Sequence, residues 1–167
     1  ASLVTKVYFP REIMPLSAII AALFDFAIAS VIFILMLIFY RISPSVNLLY
    51  LFIIIPSFVI LTSGIVFILA TINVLYRDVR FILPMVIQVL LYITPVIYSL
   101  DQVPTKYRVY IVANPLSGLI EGFRQVTVFA RPPDLLAISY ASTVAILIFV
   151  FGIWLFKNKE KIIADVI

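Results

Sequence analysis

Four long apolar stretches, separated by polar segments, dominate the chain. The first runs from Ile13 to Tyr40, interrupted only by Pro15, Ser17, Asp25 and Ser30. The second runs from Leu48 to Ile72 and carries Pro56 and the small cluster Thr62-Ser63-Gly64. The third, Phe81 to Tyr98, is shorter and holds Pro84 and Pro95; the fourth runs from Leu135 to Phe156. About 20 apolar residues in a helix cross the roughly 30 Å hydrocarbon core of a bilayer. The runs show no strand-type alternation and are too long for strands, which argues against a β-barrel. The expectation is an all-α polytopic transmembrane bundle with four spans in this chain.

Between the third and fourth runs, Ser99 to Asp134 is too apolar for a solvated loop and too polar for a span. Asn114-Pro115 is a helix start, with Asn as N-cap and Pro at the first helical position. Leu116, Leu119, Ile120, Phe123 and Val126 then follow the i, i+3, i+4, i+7 pattern of an apolar stripe. Ser117, Glu121, Arg124 and Gln125 make the opposite, polar face, with Glu121 and Arg124 spaced as an i,i+3 ion pair. Tyr107, Tyr110 and Ile111, after Pro104, make a shorter stripe. The expectation is two short amphipathic re-entrant helices, the second half in the membrane with its polar side wet, and Asp134 capping the last span.

Composition sharpens the membrane reading. Of 167 residues 65% are hydrophobic and 12% charged, and mean hydropathy is +1.24. So few charges would leave a soluble domain aggregating through its surface. Cysteine and histidine are absent, which removes disulfides, thiolate chemistry and the commonest metal ligand and acid/base. The four glycines, at 64, 118, 122 and 152, make no phosphate-binding loop. No metal-ligand spacing and no nucleophile–base pair occurs, so no metal or cofactor is expected on this chain. The net charge of +4 reads as topology rather than nucleic-acid binding. Lys6, Arg11, Arg77, Arg80, Lys157, Lys159 and Lys161 fall on short segments of one face. Arg41, Lys106, Arg108, Arg124 and Arg131 fall on longer segments of the other. The denser face is cytosolic by the positive-inside rule, placing both ends of the chain there.

Several residues stand out chemically. Lys6-Val-Tyr8-Phe9-Pro-Arg11-Glu12 fits either an interfacial anchor, with aromatics at the headgroups, or a docking element for a cytosolic partner. Asn73-Val-Leu-Tyr-Arg77-Asp78-Val-Arg80 reads as a tight turn, with Asp78 capping the next helix. Asp25, near the middle of the first span, has no membrane-centre partner and is expected to hold a hydroxyl or amide of a neighbouring helix. Tyr92 and Tyr98, around Thr94-Pro95, fit either an aromatic belt or the wall of a pathway.

The order of these motifs resembles the permease of type 2 family ABC transporters, the branch exporting lipid-linked polysaccharides such as O-antigen or teichoic acid. The run Lys6-Val-Tyr-Phe-Pro-Arg-Glu, Asn73-Val-Leu-Tyr-Arg-Asp-Val-Arg, Thr94-Pro-Val-Ile-Tyr and Asn114-Pro-Leu…Glu121-Gly-Phe-Arg124 carries the resemblance across essentially the whole chain. It implies six spans in the full protein, of which this chain matches the C-terminal two-thirds, with residues 1–12 as a cytosolic coupling segment and 13–167 as the transmembrane domain. By the same resemblance Lys6, Tyr8, Phe9, Arg11 and Glu12 contact the ATPase subunit, and Asn73, Arg77, Asp78 and Arg80 form a cytosolic turn near the inner mouth. Asn114, Pro115, Glu121 and Arg124 belong to an outer gate, and Tyr92 and Tyr98 to a substrate pathway where aromatic rings stack on sugars. The implied assembly is a homodimer with two ATPase chains in a bacterial inner membrane. ATP and Mg²⁺ would sit on the partner subunit, with no nucleic acid involved. A permease of the same family exporting a drug or lipid is the alternative, and a membrane-embedded transferase a remote one.

Overall fold

The computed structural model describes residues 12–76 and 78–166. Among these every regular element is helical: α1 (Ile13–Phe39), a 3-10 turn (Val46–Tyr50) running into α2 (Leu51–Leu75), α3 (Val79–Ile93), α4 (Thr105–Val112), α5 (Pro115–Thr127) and α6 (Leu135–Val166), with a second 3-10 turn at Leu100–Gln102. Three segments are long and apolar enough to cross a membrane: Ile13–Phe39, Val46–Leu75 and Leu135–Lys159. The chain forms a polytopic membrane helical bundle.

The third apolar run departs from its expected length. Helix α3 has 15 residues, about 22 Å at about 1.5 Å per residue, short of the roughly 30 Å core. It ends at Ile93 because Pro95 follows: a residue before proline is pushed out of the α region, and Thr94 sits at φ −84°, ψ 137°. Asp78 occupies the N-cap position of α3, but its own backbone is α-helical and its side chain accepts no capping hydrogen bond. Asp134, by contrast, caps α6 as expected, accepting from Leu136 N at 2.9 Å and Ala137 N at 3.3 Å.

The core is the pair α2–α6 with α5 wedged beside it. Leu61, Leu119, Ala141 and Ala145 form one buried cluster; Ile54, Val126 and Ile138 form a second. Where α2 crosses α6 a Cβ on Gly64 would stand 2.7 Å from Phe149 Cα, so the two backbones touch. Glycine permits this approach, which is how membrane helices gain packing when lipid offers no hydrophobic drive. Ser57 Oγ and Ser142 Oγ lie 2.8 Å apart across the same pair. Helices α1 and α3 flank this core and bury little: Pro15 is the one buried residue of α1, and α3 has none among the described residues. Their outward Leu, Ile, Val and Phe side chains suit a hydrocarbon solvent rather than water. Asp25 is among the exposed α1 residues. Its carboxylate takes part in none of the side-chain hydrogen bonds among the described residues, so the expected link to a neighbouring helix is not made.

Candidate functional site

Helix α5 is built from the sequence signals expected for it. Asn114 Oδ1 accepts from Leu116 N at 3.1 Å, and Pro115 follows at the first helical position. Its placement is different from the expected half-wet one. Ser117 is fully buried and Glu121 is 6% exposed, so the polar face points into the protein. The reason is that this face also carries Gly118 and Gly122. A Cβ on Gly118 would lie 3.0 Å from Ala137 O, and one on Gly122 3.1 Å from Ile138 Cδ1. The small residues let α5 press on α6, while Leu119 and Val126 fill the core. The stripe expected on α4 is also not packed: Tyr107 and Tyr110 are exposed, with Ile111 half-buried.

With Glu121 buried, its charge needs a partner, and Arg124 supplies it at 2.8 Å. The guanidinium has donors to spare, and three of its hydrogen bonds go to the segment after α3. Nη1 donates to Tyr98 O at 2.9 Å; Nη2 donates to Pro95 O at 2.8 Å and Val96 O at 2.9 Å. Pro95 breaks α3, which frees carbonyls that a continuing helix would have satisfied; the planar fork of arginine collects three of them. Asn114 Nδ2 adds a bond to Thr94 Oγ1 at 3.0 Å, and Tyr98 Oη closes the end of α3 by donating to Ile93 O at 3.1 Å. The 94–98 segment and α5 are therefore clamped together at both ends of the contact. Tyr140 Oη on α6 donates to Ala113 O at 3.1 Å, fixing the turn before α5.

Of the residues expected to carry function, the structure brings Tyr98, Asn114, Pro115, Glu121 and Arg124 into this one clamp. Tyr92 lies exposed on α3. Asn73 and Asp78 are exposed, and Arg80 rests on the Phe81 ring with its guanidinium carbon 4.7 Å from the centroid; hydrogen bonds among the described residues do not join these three. Glu12 is exposed at the start of α1. Lys6, Tyr8, Phe9, Arg11 and Arg77 lie outside the described residues. Sequence reading missed the glycines as packing residues, although Gly118-x-x-x-Gly122 has the spacing that brings helices together, and it did not anticipate Thr94 and Pro95 as partners of α5. Among the described residues no group of acidic side chains is arranged to hold a metal.

The clamp falls within the part of the chain that matches a known family. The ABC-2 type transporter family matches residues 2–128. The chain belongs to this family. It is 32% identical over 127 residues to an O-antigen export system permease protein RfbA of Klebsiella pneumoniae, covering 75% of this chain and 49% of the relative. It is 22% identical over 165 residues to the RfbA protein of Myxococcus xanthus, covering 98% of this chain and 64% of the relative. The polysialic acid transport protein KpsM of Escherichia coli is 22% identical over 156 residues, 90% of this chain and 60% of that protein. The chain thus spans about half the length of the Klebsiella relative, and within this ABC-2 permease fold the clamp ties the broken end of α3 to α5.

Proposed function

We propose that the chain is the membrane subunit of an ATP-driven exporter that moves a lipid-linked polysaccharide across the bacterial inner membrane. The observation that carries this reading is the likeness to relatives named for O-antigen export and polysialic acid transport, together with membership of the ABC-2 family. Hydrolysis of ATP occurs on a separate ATPase subunit, present in two copies against two copies of this chain, with ATP and Mg²⁺ held there. Residues 1–12, with Lys6, Tyr8, Phe9, Arg11 and Glu12, form the contact through which ATPase closure reaches the spans. The turn carrying Asn73, Arg77, Asp78 and Arg80 lies on the same, cytosolic side, as do both ends of the chain. The clamp of Asn114, Glu121 and Arg124 belongs to the outer side, where it makes the end of α3 and helix α5 move as one body. Tyr92 and Tyr98 lie beside the path of the glycan, where flat amphipathic rings give contact area to sliding sugars.

The test is reconstitution of the full-length protein with its ATPase in proteoliposomes, following transfer of a lipid-pyrophosphate-linked glycan with ATP. Glycan transfer that requires ATP and both subunits is the expected result. ATP hydrolysis stimulated by a drug or free lipid but never by the lipid-linked glycan would overturn the substrate class.

A further inference from the structure

Beside α1 two cavities lie end to end. One, of ≈ 330 Å³, has Glu12 and Lys157 at its rim and Phe67 and Phe156 in its wall. The other, of ≈ 340 Å³, runs between α1, α2 and α5 past Ala22, Phe26, Val59 and Phe123. Ile19 lines both, so they make one cleft. Along α1 its lining runs from Glu12 to Phe26, and Phe123 of α5 closes part of the apolar wall. The walls change character along its length: both signs of charge at the mouth, then almost wholly apolar side chains.

We propose that this cleft holds one phospholipid whose headgroup carries a phosphate and a primary ammonium, that is, a phosphatidylethanolamine. Three observations on the molecule select it. The rise along α1 from Glu12 to Phe26 is about 21 Å at about 1.5 Å per residue. Half of a bilayer of about 40–45 Å, headgroups included, is about 20–22 Å, so the cleft is one leaflet deep. Its charges lie where headgroups lie, at the ends of the spans Ile13–Phe39 and Leu135–Lys159. The lysine ammonium meets a lipid phosphate, while the Glu12 carboxylate accepts from the lipid ammonium, a pairing that an anionic headgroup would not satisfy. A second copy of the chain or another protein helix would fill the apolar part, yet would have to present both signs of charge at the mouth. The lipid would act as a fixed filler between α1 and the α2–α6 core, which otherwise touch sparsely. The proposal depends on the chain being embedded in a membrane and not on what it exports.

The experiment uses the protein in detergent micelles with phosphatidylethanolamine bearing a diazirine at the end of one acyl chain, added below the micelle concentration. Photolysis should give a single saturable adduct per chain, mapped to Ile19–Phe26 of α1 and Ile55–Thr62 of α2. Unlabelled phosphatidylethanolamine should compete better than phosphatidylcholine, whose quaternary ammonium donates no hydrogen bond, and better than phosphatidylglycerol. Lys157→Ala should raise the half-saturating lipid concentration roughly tenfold, as expected for one charge-assisted hydrogen bond. Ala22→Trp, which fills the cleft, should abolish the adduct, while Val86→Trp on exposed α3 should leave it unchanged. Adducts spread as heavily over α3 as over the cleft, or competition blind to the headgroup, would overturn the proposal. So would efficient crosslinking of a photoreactive residue at Leu23 to a second copy of the chain. The competition series stands without any variant, so a misfolded Ala22→Trp protein leaves the result decidable.

Discussion

Gly64 and Gly152 meet backbone to backbone: a Cβ on Gly152 would lie 2.5 Å from the carbonyl oxygen of Gly64. This crossing sets the distance between α2 and α6, and with it the seat of α5. Overpacking a core costs about 1–3 kcal/mol where side chains are able to shift; here the obstacle is main chain. Gly64→Ala and Gly152→Ala are each expected to destabilise by about 3 kcal/mol or more. Gly122→Ala meets side chain rather than main chain, Ile138 Cδ1 at 3.1 Å and Cγ1 at 3.2 Å with Ile54 Cδ1 at 3.5 Å, and is expected to cost about 1 kcal/mol. Thermal unfolding in detergent, followed by the fluorescence of the single tryptophan, checks the ranking; equal melting of all three variants would disprove it.

Helix α5 divides what is local in the sequence from what is not. Its start, at Asn114-Pro115, and its apolar stripe are local patterns, and both are legible because backbone capping and side-chain periodicity depend on neighbours in sequence. The orientation of its polar face is not local. Ser117, Gly118, Glu121 and Gly122 share one side, and the same four residues describe a wet face if the charge wins or a packing face if the glycines win. The glycines win because Arg124 reaches outward to neutralise Glu121 and finds carbonyls released by Pro95, nearly thirty residues earlier in the chain. The end of α3 is legible in part: Pro95 signals a bend and a freed carbonyl, but a hydropathy window runs on to Tyr98, while the steric rule for a residue before proline stops the helix at Ile93. The long spans α1, α2 and α6 are legible in the sequence because length and apolarity suffice for them.

Ser117 is wholly buried and its hydroxyl has no hydrogen-bond partner among the described residues. A buried hydroxyl left unpaired costs about 1–3 kcal/mol, and a wholly buried site leaves little room for a larger side chain. Ser117→Ala keeps the volume nearly constant and removes the penalty, so it should stabilise the protein by about 1 kcal/mol. Ser117→Val should destabilise it by crowding. A lower melting temperature for Ser117→Ala would mean that the hydroxyl is satisfied.

Arg41 ends α1 in a left-handed conformation, φ 55°. Ile42 N donates to Leu37 O at 3.0 Å and Arg41 N to Ile38 O at 3.0 Å, the pair of bonds that usually has glycine at this position. A left-handed L-residue costs about 1–2 kcal/mol, so Arg41→Gly should raise stability by about 1 kcal/mol. Arg41→Val, β-branched and less tolerant of positive φ, should lower it. The melting temperatures of the two variants in one detergent should therefore fall on opposite sides of wild type.

The Arg124 clamp makes the sharpest demand. Glu121 is nearly buried, and removing its guanidinium would leave a carboxylate inside the bundle while three carbonyls near Pro95 lose their donor. Breaking a buried pair from one side costs about 3–5 kcal/mol. Arg124 is itself 19% exposed at its side chain, so Arg124→Gln is expected near the lower end, about 3 kcal/mol. Arg124→Lys should recover only part, because an ammonium presents one point charge where the fork reaches Glu121 and three carbonyls at once. Glu121→Gln should be milder, since the amide oxygen still accepts from Arg124. In the double variant Glu121→Gln/Arg124→Gln the buried charge is gone, and the destabilisation should fall below the sum of the single changes by about 1.5 kcal/mol or more. On the proposed export function, transport by the full-length protein should separate the clamp from mere folding: with expression matched at low temperature, Arg124→Lys should transport more slowly than Glu121→Gln, because it loosens the hold of α5 on the end of α3 while the charge pair persists. A double-mutant cycle that adds without coupling would show that Arg124 serves the carbonyls of the 94–98 segment alone and that Glu121 is satisfied by other means.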